Sequence, residues 1–276
     1  MKMIRAFLVM AAALALCGTA QAQAQGRIGV TQATENSPLG KPPTGPDRIL
    51  RVGTDIQANE VVTTSATDRA HLVFLDGTTV TIGPNSRLII DKFVYDPSTQ
   101  KGEIALNAST GVFRIIGGRI SKTSEVKVAT PSASLGIRGG IMVFNVTVNA
   151  TTSMMVYGDQ MSVTSLVNGV SQTTTVNVPG LGVATSLGAA PGTASVTVAG
   201  DLTAALSTLV TDTKAAAAVV TAVQTLVANN VGNPVTLAAV LAAIIQAVVP
   251  NAILAQNTTV TVTTTENVNQ SAASPN

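Results

Sequence analysis

Ionisable residues are scarce in this chain. Only 11% of its 276 residues are charged, and beyond Thr130 they thin to Arg138, Asp159, Asp201, Asp212, Lys214 and Glu266. A half built from Ala, Val, Thr, Ser, Asn and Gly holds few groups able to move a proton at neutral pH. There is one histidine, His71, one cysteine, Cys17, and no tryptophan. A single histidine excludes a histidine-pair metal site and the HExxH arrangement, and no serine sits in a GxSxG elbow. A single cysteine excludes an internal disulfide. No run of lysine and arginine marks a surface for polyanions.

The first residues are predicted to be a targeting segment. Lys2 and Arg5 precede the apolar run 6–16, and Ala20-Gln21-Ala22 and Ala22-Gln23-Ala24 supply small-residue cleavage sites, so residues 1–24 read as a secretory signal peptide. The apolar run falls well short of the ~20 residues of a membrane-spanning helix. Leu16 is too bulky for the residue that usually precedes a lipidated cysteine. Removing this segment takes away Cys17, Lys2 and Arg5, which leaves equal numbers of basic and acidic residues. The pI near 8.8 is therefore mostly a property of the leader. The remainder gives no electrostatic ground for binding nucleic acid or anionic membrane. The expected compartment is the bacterial periplasm or the exterior.

Residues 25–47 carry Pro38, Pro42, Pro43 and Pro46 without an apolar period, and read as a flexible linker. From Arg48 short apolar runs alternate with turn residues every eight to twelve positions, the pattern of an all-β domain. Expected strands cover 48–56, 71–75, 78–82, 87–95, 102–106, 111–116 and 141–148, and later 154–157, 161–167, 173–178 and 195–198. Asp76-Gly77 is the strongest hairpin signal, and Asp96-Pro97 starts a turn. Phe74, Phe93, Phe113 and Phe144, four of the five phenylalanines, fall on these strands and are expected to anchor the core. From Asp201 the apolar residues recur at helical spacing. An Ala/Val-rich helical segment is expected over 201–256, with a second helix at 235–249 ended by Pro250, followed by a polar tail over 257–276 in which 258–265 is strand-like.

The stretch 126–148 holds the densest group of residues with one sensible structural reading. Val126 and Val128 alternate with Lys127, Thr130-Pro131 breaks the strand, and Leu135 and Ile137 resume the alternation. Gly136, Gly139 and Gly140 then bracket Arg138, which predicts a sharp corner in a β-framework. Thr130, Pro131, Gly136, Arg138, Gly139 and Gly140 form this structural corner. Arg138 is read as a clamp on it or as a residue that contacts a partner.

Ligand readings of the glycines fail on context. Gly136-Ile137-Arg138-Gly139 matches the four-residue loop of KH domains, but strands and not helices flank it. Gly180-Leu181-Gly182 opens like a dinucleotide fingerprint, yet Thr185 stands where the third glycine belongs. His71 is read as structural or exposed and not as a base. No catalytic residue, metal ligand or cofactor is expected.

Taken in order, residues 53–96 (GTDIQANEVVTTSATDRAHLVFLDGTTVTIGPNSRLIIDKFVYD), then TPSASLGIRGG from Thr130 and VYGDQMSVTS from Val156, resemble the FecR-type periplasmic domain. The resemblance covers about residues 48–178, within a β domain bounded at 48–200. It implies a mainly β, short-stranded solenoid or sandwich-like fold and a protein partner in the envelope. Regulators of that type carry an anti-sigma segment and a membrane helix ahead of the domain, whereas here a signal peptide and a proline-rich stretch precede it. Gly140 stands where many relatives have threonine. The chain is thus similar to a stand-alone exported form. The expected function is a non-enzymatic binding or scaffold protein of the cell envelope; the alternative is a sensor subunit docking on a separate membrane regulator or outer-membrane receptor. A hydrolase would require Asp55, Asp76, Asp91 and Asp96 to converge.

Overall fold

The computed structural model describes residues 26–195 together with Leu202, Thr208 and Leu209. Its first strands are β1 (Gly29–Glu35), β2 (Leu39–Lys41), β3 (Arg48–Ile49), β4 (Asp55–Ile56), β5 (Val61–Thr63), β6 (Arg69–Phe74), β7 (Thr79–Ile82) and β8 (Arg87–Asp96). The long β9 (Lys101–Ile116) follows, and a 3-10 turn at Ile120–Lys122 separates it from β10 (Val126–Ala129). The rest are β11 (Ser134–Arg138), β12 (Ile141–Val146), β13 (Ala150–Tyr157), β14 (Gln160–Val167), β15 (Val170–Val176) and β16 (Gly182–Ser186).

These strands form two open layers that share β9. The first runs β4-β1-β6-β7-β9-β12-β13-β16 and the second β3-β2-β5-β8-β9-β10-β11-β14-β15. Every pairing is antiparallel except that of β9 with β10. The domain is therefore mainly β, and its sheet is open and does not close into a barrel.

β9 explains the layout. In its first part Ile104, Leu106 and Ala108 are buried and alternate with more exposed residues, as on a sheet with one wet face. Past Gly111 all of Val112, Phe113, Arg114 and Ile115 are buried, so there the strand is covered on both faces. The first part pairs with β8 and β10, the second with β7 and β12.

One apolar core lies between the layers. Phe74 of β6 stacks on Phe93 of β8 with ring centroids 5.5 Å apart, joining the two sheets, while Phe113 and Phe144 stack at 5.0 Å across β9 and β12. Phe74, Phe113 and Phe144 are buried, which stabilises by about 1.5–3 kcal/mol each, and Phe93 is partly buried against them.

Buried acids fasten the loops to this core. Asp76 is almost wholly buried; it accepts hydrogen bonds from the Thr78 backbone N–H and hydroxyl and from the Ile120 N–H, tying the Asp-Gly hairpin to the 3-10 turn. Glu60, fully buried, accepts from both Arg48 and the Gln57 N–H. Asp68 caps the N–H groups of Ser37 and Ser65. A buried carboxylate that receives several donors in this way has its hydrogen-bonding capacity satisfied.

The sequence reading differs from the structure at four places. Residues 25–47, read as a linker, contain β1 and β2, and β1 sits between β4 and β6 in the first layer. The prolines mask a strand whose inward residues are small or polar, such as Gly29 and the fully buried Thr31. The single strand expected over 48–56 is two short strands, because the chain turns where the Thr54 N–H reaches the Arg51 carbonyl at 2.8 Å. The strands expected at 102–106 and 111–116 are one strand: Asn107, Ser109 and Thr110 look like a break but occupy outward or partly exposed positions. β16 lies in a stretch read as loop, its apolar content being only Val183 and Ala184. The signal peptide, the helical stretches of 201–256 and the polar tail lie outside the described residues, apart from Leu202, Thr208 and Leu209.

Candidate functional site

The glycine corner is built by β11, the turn into β12 and the β13–β14 hairpin. Gly139 has φ +62°, in the left-handed region that favours glycine, and a Cβ placed there would lie 2.5 Å from Asp159 Oδ2. Its N–H donates to the Ser121 carbonyl at 2.9 Å, and the Gly140 carbonyl accepts from the Gly117 N–H at 2.8 Å. The corner is thereby tied to the 3-10 turn after β9. Gly136 is buried beside Glu125 and Ser162, whose hydroxyl donates to Glu125 at 3.0 Å.

At the other end of β11 the Thr130 hydroxyl makes a small knot. It donates to the Ala133 carbonyl at 2.7 Å, accepts from the Ala133 N–H at 3.0 Å and lies 2.7 Å from the Thr151 hydroxyl, with Pro131 exposed on the turn. Arg138 points to solvent, and no ion pair reaches it among the described residues. Its backbone carbonyl, not its guanidinium, takes part in the corner, accepting from the Asp159 N–H at 3.2 Å. Tyr157 and Asp159 are exposed on the neighbouring hairpin. We expect Gly139→Val to lower stability by about 2 kcal/mol, more than the ~1 kcal/mol of an ordinary glycine replacement. Urea unfolding measures it, and an unchanged midpoint would remove the strained corner.

A second polar group was not visible in the sequence. On the outward face of the first layer His71, Thr81, Arg114 and Val143 stand in one row across β6, β7, β9 and β12. His71 Nδ1 lies 2.8 Å from the Thr81 hydroxyl. Arg114 is 1% exposed, and its Nε and Nη1 have no hydrogen-bond partner among the described residues. Burial brings this guanidinium down to about 10. Burial, and then the neighbouring Arg114 charge, bring His71 down to about 4, so this histidine is neutral at physiological pH.

Later residues lie next to this row. Leu209 approaches Gly83 so closely that a Cβ there would meet its Cδ2 at 2.9 Å, and Arg69 Nε donates to the Thr208 carbonyl. Arg114 follows Phe113 in an ordinary strand pattern, which gives no sign that it will be buried. A charge buried without a partner opposes folding. We expect Arg114→Met, which keeps the length and loses the charge, to raise stability by about 1–3 kcal/mol in thermal unfolding; a loss of stability would mean that the guanidinium has a compensating partner.

The carboxylates do not gather. Asp55 pairs with Arg27 at the β4 edge, Asp76 is committed within its turn, and Asp91 is exposed on β8. Asp96 starts the β8–β9 turn, where hydrogen bonds from the Ser98 and Thr99 hydroxyls hold it down to about 2. Among the described residues no three His, Cys, Asp or Glu are placed to hold a metal ion, and no helix is long and apolar enough to cross a membrane.

Residues 60–170 match the family model described as FecR protein. The match begins one residue before β5 and ends at the first residue of β15, so it includes β9 and the glycine corner. Two crystal structures of a candidate anti-sigma factor from Parabacteroides distasonis, at 2.50 and 1.65 Å resolution, are similar to this chain with 11% and 10% identity and TM-scores of 0.33 and 0.32. Each alignment covers 45% of this chain and 53% of the other, so the similarity spans about half the length of those proteins. No curated protein matches this chain. Residues 60–170 are thus similar to a FecR-type domain, and the strands within them make this part of the chain mainly β.

Proposed function

We propose that this protein is an exported, non-enzymatic sensor subunit that binds a separate membrane signalling regulator or an outer-membrane receptor. The match of residues 60–170 to the FecR family carries the reading. Two features support binding over catalysis. Buried acids such as Glu60, Asp68 and Asp76 are occupied with backbone N–H groups, and the exposed charges Arg138 and Asp159 stand with Tyr157 around a corner held by glycine. A rigid corner that presents an arginine and a tyrosine is suited to a protein contact, since these residue types are enriched where interfaces hold most of their energy.

In this reading Arg138 supplies the recognition charge, and Thr130, Pro131, Gly136, Gly139 and Gly140 keep it in place. A partner with an acidic contact surface follows from the sign of that charge. The test is a pull-down from envelope extract with the exported chain and with Arg138→Glu. Recovery of a sigma regulator or a receptor by the native chain, and its loss with the variant, supports the sensor. Recovery of structural envelope components alone, unaffected by the variant, replaces it with a scaffold role.

A further inference from the structure

We propose that residues 258–265 of this chain add as a strand to the free edge of β15. β15 ends the second layer, with β14 as its one strand neighbour among the described residues. An end strand leaves a row of backbone donors and acceptors unpaired, and proteins ordinarily blunt such edges with charge or proline. The free part of β8 is blunted in this way by Asp91, Lys92 and Asp96, and the outer side of β16 is taken by the returning chain, where the Ser195 and Gly182 N–H groups each reach the other's carbonyl. β15 reads Val-Ser-Gln-Thr-Thr-Thr-Val over seven residues, with no charge and no proline, and most of it is exposed. On the inner face of β15 the Thr174 hydroxyl donates to the Gly192 carbonyl at 3.1 Å, but its outer backbone edge has no paired strand among the described residues.

The occupant is written in the same alphabet. Residues 258–265 read Thr-Thr-Val-Thr-Val-Thr-Thr-Thr, free of charge, proline and glycine. Their alternation gives one face of Thr259, Thr261, Thr263 and Thr265 and another with Val260 and Val262. β15 divides likewise: Ser171, Thr173 and Thr175 face outward, while Val176 on the other face is buried and Thr174 is half-buried. Beside β15, the threonine face of the added strand would continue a ladder that already exists, because the Thr164 and Thr173 hydroxyls bond across β14 and β15 at 2.8 Å. Val260 and Val262 would then extend the apolar side next to Val176. At ~3.3 Å per extended residue, the stretch between Leu209 and Thr258 reaches this edge from anywhere on the domain. The pairing is the strand-addition mode, made within one chain.

Disulfide trapping in the full chain tests it, in a Cys17→Ser background because Cys17 is the only native cysteine. Thr173→Cys is combined in turn with Thr259→Cys, Thr261→Cys, Thr263→Cys and, as the opposite-face control, Val262→Cys. Since side chains alternate across a strand, one of the three odd positions should form a disulfide within the monomer about tenfold faster than Val262→Cys. Disulfides no faster than the control, or found only between two chains, overturn the proposal. A second measurement is independent of cysteine geometry. Deleting residues 257–276 should speed amide exchange of β15 about tenfold or more while β9 amides stay protected as the folding control. Unchanged exchange in β15 also overturns it.

Discussion

Gly111→Val is expected to cost at least ~3 kcal/mol and to lower the melting temperature by roughly 6–12 °C, with failure to accumulate in folded form as the extreme outcome. Gly111 is the residue at which β9 leaves one layer and enters the other. Its φ of +109° is one that a β-branched residue does not tolerate, and a Cβ there would lie 2.5 Å from the Ser86 Cα. Ser86 cannot withdraw cheaply. Its hydroxyl accepts from the Val112 N–H at 3.1 Å and donates to the Pro84 carbonyl at 3.0 Å, and its own N–H donates to the Thr64 hydroxyl at 2.9 Å. Thr64 in turn donates to the Gly83 carbonyl at 2.6 Å, and the Gly83 N–H donates to the Val112 carbonyl at 2.8 Å. Moving Ser86 aside breaks a closed set of buried hydrogen bonds, each costly to leave unmade. Thermal unfolding followed by circular dichroism reads the effect. A variant that melts with the native protein would show that β9 does not need glycine to change layers.

Stability is expected to fall in mild acid, with His71 as the main titrating group above the carboxylate range. The folded value of about 4 lies below the ordinary 6.5, because burial and then Arg114 disfavour the imidazolium. Between these values the unfolded chain binds the proton and the folded one does not, so acid favours unfolding. This stability is fully present above about pH 6.5 and is lost as pH falls toward 4, at up to ~1.4 kcal/mol per pH unit. Urea midpoints at pH 7.5, 6 and 5 measure the slope for the native chain and for His71→Asn, which retains a hydrogen-bonding group near Thr81. The variant should be nearly flat over this interval. Equal slopes would place the acid sensitivity elsewhere. Arg114→Met should make the fall smaller and end it at a higher pH, since removing the neighbouring cation raises the folded-state value of His71 toward the ordinary 6.5.

Both effects arise at β9, and this strand marks where sequence reading stopped. Alternating Ile104, Leu106 and Ala108 and the apolar run around Phe113 were legible as strand, and Phe74, Phe93, Phe113 and Phe144 as core, because periodicity and aromatic burial are local consequences of a pleated surface. That the two runs are a single strand was hidden, since polar residues at outward positions look the same as polar residues in a turn. β1 was hidden for a related reason: a strand whose inward positions are Gly29 and Thr31 has no apolar signature, and its neighbours supply the burial.

The candidate site divides in the same way. Asp76-Gly77, Asp96-Pro97 and the glycines after Ile137 carry their conformational meaning in their own backbone preferences, so turns could be read at all three. Arg138 was noticed because it is a lone charge among glycines and apolar residues; its exposure depends on which way β11 faces. Arg114 was overlooked because an arginine between Phe113 and Ile115 is the normal outward member of a strand. The shortage of charge, the all-β pattern and the corner were determined by the sequence, through composition and through rules that span a few residues. Tertiary structure alone decided that β9 serves two layers and that Thr208 and Leu209 come to rest beside Arg69 and Gly83. Those outcomes depend on contacts between parts of the chain far apart in sequence, and no local preference encodes which face another segment will cover.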